Sequence, residues 1–129
     1  MIADKSLREF VETAKDANLS YNHDGKERWH RLAKQVAKAL AKKLGLRNGE
    51  YDIRYNRGGI AVSGETYLHA DWIYVQLDIS CLGAHMGFMY RSCKGQTDYT
   101  GGQNRWMQWD ELLDLDRAAA KLAECRGAA

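Results

Sequence analysis

One run of basic side chains has the spacing of a charged row along a helix. The four cations Arg31, Lys34, Lys38 and Lys42 recur at intervals of three, four and four residues. Because an α-helix repeats every 3.6 residues, they share one face of it. Such a row of cations attracts nucleic-acid phosphates or the acidic surface of a protein. The alternative is an ordinary solvated helix surface, although those usually mix positive and negative side chains.

This row, called the stripe below, belongs to a strongly basic segment of a nearly neutral chain. The 129 residues include 19 Lys or Arg and 17 Asp or Glu, a net charge of +2. Residues 26–47 hold eight of the basic residues and one of the acidic ones, so this segment carries +7 and the remainder −5. We therefore expect an acidic partner for residues 26–47. A chain with oppositely charged regions can also pair with a second copy of itself.

A second candidate surface combines aromatic and charged side chains on one side of a predicted β-sheet. If the apolar residues of the segment 73–79 face the helices, the other side carries Tyr67, Trp72, Tyr74 and Met89 together with Arg54, Glu65, Gln76, Asp78 and Arg91. Trp, Tyr, Met and Arg are enriched in protein interfaces, and rings on a sheet can stack on bases. This face could therefore bind a partner or a second copy, or be covered by the first helix or a loop.

Residues 94–107, KGQTDYTGGQNRWM, show no periodicity and predict a long loop. Tyr99 and Arg105 flank a Gly-Gly pair in it, and glycines allow a partner to approach the backbone closely. The spacings of phosphate-binding and dinucleotide-binding glycine loops are absent. We expect Tyr99 and Arg105, with Arg91 beside them, to contact a partner.

The sequence contains no catalytic or metal-binding motif. HExxH, CxxC and HxH spacings are absent, so we expect neither a metal nor a cofactor. A nucleophilic Cys93 activated by a histidine is the enzymatic alternative, since such partners meet in space and not in sequence. Three irregularly spaced cysteines fit a reducing compartment. With no signal-peptide core and no long apolar run, we expect a cytoplasmic protein that does not enter a membrane.

The elements that must position these residues follow from hydrophobic periodicity. Helical patterns cover residues 4–17, 26–44 and about 110–125, with Gly45 ending the second helix. Between them, alternating patterns near 51–55, 60–69, 72–79 and 86–93 predict four strands joined by short connections. The predicted fold is a single α+β domain over residues 1–129, of order α-α-β-β-β-β-α. Its four-stranded antiparallel meander has the helices packed on one face.

In style, the chain resembles small accessory proteins carried by phages and other mobile elements, including anti-CRISPR proteins. The likeness lies in its compact size, its α+β organisation, its abundant aromatic residues and a segment, CKGQTDYTGGQNRW, that matches no standard enzyme motif. The resemblance assigns no role to any individual residue of this chain. The resemblance implies a non-enzymatic inhibitor that binds a host protein or nucleoprotein complex stoichiometrically.

The order of elements is also similar to that of double-stranded RNA-binding domains, which is α-β-β-β-α. This chain departs from it by an extra helix and an extra strand. Asp110, Glu111 and Asp114 stand where those domains place basic residues at the start of the last helix. Binding of nucleic acid through residues 26–47, in a different mode, is therefore the alternative function.

Overall fold

A computed structural model of the chain describes residues 2–16, 23–56, 64–79 and 87–127. Its helices are α1 (Asp4–Ala14), α2 (His23–Lys43), a 3₁₀ helix (Trp109–Leu113) and α3 (Leu115–Ala123). Its strands are β1 (Tyr51–Asn56), β2 (Gly64–Ala70), β3 (Ile73–Ile79), β4 (Gly87–Ser92) and β5 (Arg105–Gln108). The α+β class is confirmed.

The strands form one antiparallel sheet of order β1-β2-β3-β4-β5, so each pairs with its neighbours in sequence. The predicted meander is confirmed, but the predicted count of four strands is wrong. The fifth strand falls in the segment predicted as a loop. It is only four residues long, too short to show an alternating pattern, and Met107 pairs with Phe88 of β4 to hold it in the sheet.

The helices cover one face of the sheet, where they bury a continuous apolar core. An aromatic group lies at its centre. Phe10 of α1 stacks on Trp29 of α2 with 5.6 Å between ring centroids, and meets Trp109 edge-on at 5.7 Å. Trp109 in turn contacts Phe88 of β4 at 5.2 Å. These rings connect α1, α2, the 3₁₀ helix and the sheet into one packed unit.

Helix α2 ends at the glycine that the sequence indicates. Gly45 has a φ of 72°, in the left-handed region that glycine adopts without strain. The amide of Gly45 donates to the carbonyl of Lys42, and that of Leu46 to Ala41, both at 3.0 Å. This pair of hydrogen bonds is the Schellman motif, which satisfies carbonyls left open at a helix end.

The last helix is divided in two, where the sequence predicts a single helix from 110 to 125. Glu111 accepts a hydrogen bond from the Gln108 amide at 2.8 Å and so caps the 3₁₀ helix. Asp114 then caps α3 by accepting from the Arg117 amide at 3.1 Å. The cap at Asp114 starts a second helix, because it satisfies the Arg117 amide that a continuous helix would pair internally.

The predicted turn at 56–59 and the predicted features at Ile60, Val62 and 81–86 lie wholly or largely outside the described residues. In the part of the chain that the structure describes, no helix is long and apolar enough to cross a bilayer.

Candidate functional site

The stripe lies on the solvent side of α2. Arg31, Lys34, Lys38 and Lys42 are all exposed, whereas the opposite side of the helix is buried in the core. From its first to its last member the stripe extends about 16 Å, at a rise of about 1.5 Å per residue. Among the described residues, the four cations form no ion pair. Their charge is therefore available to a partner.

Other cations of the basic segment have structural partners. Arg28 donates from Nη2 to Glu9 Oε2 at 2.9 Å, which joins α2 to α1. Lys43 Nζ lies 2.6 Å from Asp116 Oδ1, which joins α2 to α3. Lys26 is buried, with only 5% of its surface exposed. The exposed cations of residues 26–47 that form no ion pair with the described residues are thus concentrated in the stripe.

The side of the sheet turned away from the helices, called the outer face below, carries the predicted mixture of rings and charges. Cross-strand pairs place Arg54 beside Tyr67, Tyr74 beside Arg91, and Gln76 beside Met89. The prediction that these positions share one face is confirmed, because directly paired residues point to the same side of a sheet.

The placement of Trp72 on the outer face is wrong. Strand β3 begins only at Ile73, and Asp71 and Trp72 form the connection from β2, so the alternation does not extend back to Trp72. The Trp72 ring packs against the core on the helix side, where the Arg126 guanidinium carbon lies 4.5 Å from the ring centroid. Its indole therefore supports the fold on the side opposite the one predicted.

A polar and aromatic cluster fills one end of the outer face. His69 is fully buried and Tyr74 is 7% exposed. The Tyr99 ring meets His69 edge-on at 5.3 Å, and the Arg91 guanidinium carbon lies 4.7 Å from the Tyr74 ring centroid. Arg54 donates to the Tyr99 hydroxyl at 2.5 Å. At this end of the outer face, the long loop covers the sheet, which is one of the alternatives given above. Little of the Tyr74 surface is therefore accessible to a partner.

Burial in this cluster changes proton affinities. It raises the pKa of the Tyr74 hydroxyl to about 12, because the phenolate would lose its hydration. Burial, followed by the nearby charge of Arg54, lowers the pKa of His69 below its ordinary value. Both side chains are therefore neutral near pH 7, and the guanidinium groups of Arg54 and Arg91 carry the positive charge of the cluster.

The segment between β4 and β5 owes its shape to Asp98. Its carboxylate accepts hydrogen bonds from the backbone amides of Lys94, Thr100 and Gly101 at 3.0, 3.1 and 2.8 Å. These bonds hold the pKa of Asp98 below its usual range. Arg91 also donates to the Tyr99 carbonyl. The loop is ordered by contacts between side chains and backbone, which fix Tyr99 above His69.

The structure separates the residues predicted to act together. Tyr99 and Arg91 belong to the outer face, whereas Arg105 pairs with Tyr90 on the helix-facing side of the sheet and is only half exposed. The stripe is on α2, also on the helix side. One flat partner therefore cannot contact the stripe and Tyr99 at once.

Two exposed rings were missing from the predicted site. Trp106 on the outer face is 66% exposed, and Tyr55 at the end of β1 is 53% exposed. Alternation with the buried Met107 places Trp106 on the outer side, and Tyr55 lies two residues beyond Ile53 on the helix-facing side. The four residues of β5 hide the signal for Trp106, because so few alternations do not stand out from a loop. The alternation of β1 is visible in the sequence, but it places Tyr55 on the same side as Ile53, where burial is expected.

The cysteine proposed as a nucleophile has the environment of an inert thiol. Cys93 is buried, its Sγ donates to the Ala70 carbonyl at 3.3 Å, and burial raises its pKa. A reactive cysteine instead has a lowered pKa and some access to solvent. Among the described residues, no three or more His, Cys, Asp or Glu side chains form a group that could hold a metal ion.

Comparison with protein-family models, with curated proteins and with solved structures finds no match for this chain. The resemblances to mobile-element accessory proteins and to double-stranded RNA-binding domains stay predictions. Function is therefore inferred from the charge, exposure and contacts of the chain's own residues.

Proposed function

We propose that this is a non-enzymatic binding protein that docks on a negatively charged partner through the stripe. The observation that carries this proposal is four exposed cations on one helix with no ion pair among the described residues. The role that we propose is that of a phage-type accessory or anti-defence inhibitor, similar to anti-CRISPR proteins. It would act in the cytoplasm by stoichiometric binding to a host protein or nucleoprotein complex.

The attachment of α2 supports a docking role. Trp29, Val36 and Leu40 hold the helix in the core with no exposed surface. Ion pairs to Glu9 and Asp116 tie it to α1 and α3. Because the backbone of the stripe is already ordered, the conformational freedom that binding removes there is only that of the four side chains.

The partner class is tested by capture from a lysate of the host, with and without nuclease. The immobilised full chain should retain a component in stoichiometric amounts after nuclease treatment, because the proposed contact is with a protein surface. Complete loss of the captured component after nuclease treatment would overturn docking on protein and favour the alternative below.

The alternative is direct binding of nucleic acid by the stripe. It is favoured by the scarcity of carboxylates in residues 26–47, which hold one acidic residue and eight basic ones, and by the regular spacing of the stripe, which suits a row of phosphates. Fluorescence anisotropy with duplex DNA and duplex RNA at near-physiological salt tests it. Four phosphate contacts predict a slope of log K against log salt of roughly −3.6 on DNA. Undetectable binding to both duplexes would overturn this alternative.

A second copy of the chain is a further partner that the charge distribution favours. A groove of about 730 Å³ runs along the 3₁₀ helix and α3, and its acidic lining residues are Asp110, Glu111, Asp114 and Glu124. Arg117 and Lys121 lie among them and reduce the net negative charge. Sedimentation at low and high salt tests this pairing. A dimer that dissociates as salt rises would support it, and a monomer under both conditions would exclude it.

A further inference from the structure

A small cavity opens beside the N-terminal half of the stripe. It has a volume of about 130 Å³ and is lined by His30, Arg31, Lys34, Tyr55 and Thr66. These residues come from α2, β1 and β2, so three elements that are distant in sequence build one site. Among the described residues that line it, none is acidic. The lining of the cavity therefore carries a net positive charge.

The inner wall of the cavity is polar and buried. Thr66 is 1% exposed and His30 is 4% exposed, and Thr66 Oγ1 lies 3.4 Å from His30 Nδ1. Position 64 has to be glycine for this arrangement, because a Cβ there would lie 2.7 Å from His30 Nε2. When the imidazole carries its proton on Nδ1 and donates to Thr66, the hydroxyl hydrogen of Thr66 is free to turn toward the cavity.

The rim of the cavity supplies the charge. Arg31 and Lys34 are both exposed, so their cationic groups can reach a ligand without leaving water completely. Lys34 Nζ lies 5.8 Å from the centroid of the Tyr55 ring, a cation–π contact that keeps the ammonium group beside the opening. A guanidinium provides paired N–H donors, and an ammonium provides a compact point charge.

We propose that this cavity binds a single phosphate group, as inorganic phosphate or as a phosphate monoester. A cavity of about 130 Å³ is small and suits a group the size of one tetrahedral oxyanion. Pockets for drug-sized molecules begin at about 300 Å³. Arg31, Lys34 and Thr66 offer the charged and neutral donors that phosphate oxygens accept. The inference goes beyond the proposed function, because the cavity would bind phosphate whatever partner the stripe contacts.

Titration calorimetry of the full chain with inorganic phosphate and with adenosine monophosphate, at constant ionic strength, tests the proposal. Both ligands should bind saturably at one site per chain, and adenosine alone should not bind. Tighter binding of the nucleotide than of inorganic phosphate would identify a nucleotide as the source of the phosphate. Equal affinities would identify the phosphate group alone as what is recognised. No saturable binding of either ligand would overturn the proposal.

Two single variants with the same loss of charge locate the site. Lys34→Ala removes a rim cation, and Lys38→Ala removes a cation one turn further along the same stripe. We expect Lys34→Ala to weaken phosphate binding by about tenfold or more, as loss of a charged hydrogen bond does, and Lys38→Ala by about twofold or less. Equal losses of phosphate affinity in the two variants would show that the whole helix attracts phosphate diffusely, and would overturn the proposed site.

Arg31→Ala gives an independent reading of the same rim and should also weaken binding by about tenfold. Circular dichroism checks that Arg31→Ala, Lys34→Ala and Lys38→Ala are folded. Because calorimetry uses no macromolecular partner, its failure would overturn the cavity and leave docking through the stripe intact. Loss of lysate capture with normal phosphate binding would overturn docking through the stripe and leave the cavity intact.

Discussion

Arg54 and His69 are joined by a hydrogen bond within the outer face, with 2.9 Å between Nη2 and Nδ1. A guanidinium can only donate, so Nδ1 accepts and the proton of the neutral imidazole is on Nε2. Nε2 is buried in the same cluster. Protonation of this ring would break the bond from Arg54 and place a third positive charge near Arg54 and Arg91.

Acidification should therefore destabilise the fold through His69. Because the folded-state pKa lies below the unfolded value of about 6.5, the unfolded chain takes up the proton first. The stabilisation is complete above pH 6.5 and is lost as pH falls from there toward the lowered folded pKa. From about pH 7.5 to about pH 5.5, the unfolding free energy of the wild type in urea should fall more steeply than that of His69→Gln.

Glutamine is the matched substitution because its amide oxygen can accept from Arg54 but does not titrate. The remaining histidines contribute equally to both proteins and cancel in the comparison. Parallel curves for the wild type and His69→Gln would contradict a neutral, buried His69.

Removal of the Asp98 carboxylate should loosen the loop between β4 and β5. In Asp98→Ala, the amides of Lys94, Thr100 and Gly101 lose their acceptor. We expect hydrogen exchange at these amides to accelerate by about tenfold or more, with core amides unchanged. Asp4→Ala, which removes an exposed carboxylate from α1, is the control. Unchanged exchange at all three amides would show that other contacts hold the loop.

Two glycines with similar backbone angles should respond differently to alanine. Gly45 has a φ of 72° and open space around its Cα, so Gly45→Ala should cost only the strain of the left-handed region, about 1 kcal/mol. Gly102 has a φ of 80°, and a Cβ there would collide with the backbone oxygen of Ser92. Gly102→Ala should therefore be clearly more destabilising in urea unfolding. Equal losses would mean that the backbone near Ser92 moves aside freely.

Two tryptophans three residues apart should differ in their effect on stability. Trp109 is fully buried, and Trp109→Ala should lower the free energy of unfolding by about 3–5 kcal/mol. Trp106 is 66% exposed, and Trp106→Ala should change it by about 0.5 kcal/mol or less. Chemical denaturation followed by circular dichroism measures both. A large loss from Trp106→Ala would show that this ring has a structural role.

The local pattern of residues predicted the fold where one element is long and one side of it is buried. The helix around Leu40 ends at Gly45, and the alternation of β3 places Val75 inside and Gln76 outside. Prediction failed where the pattern is short or where the deciding contacts come from elsewhere in the chain. β5 has four residues, and Trp72 falls just before the start of a strand.

The stripe could be predicted because its spacing lies within one helix. The cluster beneath the loop could not, because Arg54 reaches His69 15 positions away and Tyr99 45 positions away. The phosphate cavity was missed for the same reason, since Arg31 and Thr66 come together only when α2 packs on β2. Hydrophobic periodicity indicates which side of an element is buried, but not which distant side chains then meet.

Charge reversal at the centre of the stripe tests most directly whether it carries binding. The variant combining Lys34→Glu with Lys38→Glu is compared, in capture from nuclease-treated lysate, with a variant combining Arg8→Glu with Lys94→Glu. All four positions are exposed, and both variants change the net charge equally. We predict that the stripe variant loses the partner and that the control keeps it. Retention of the partner by the stripe variant, or equal loss from both, would contradict docking through α2.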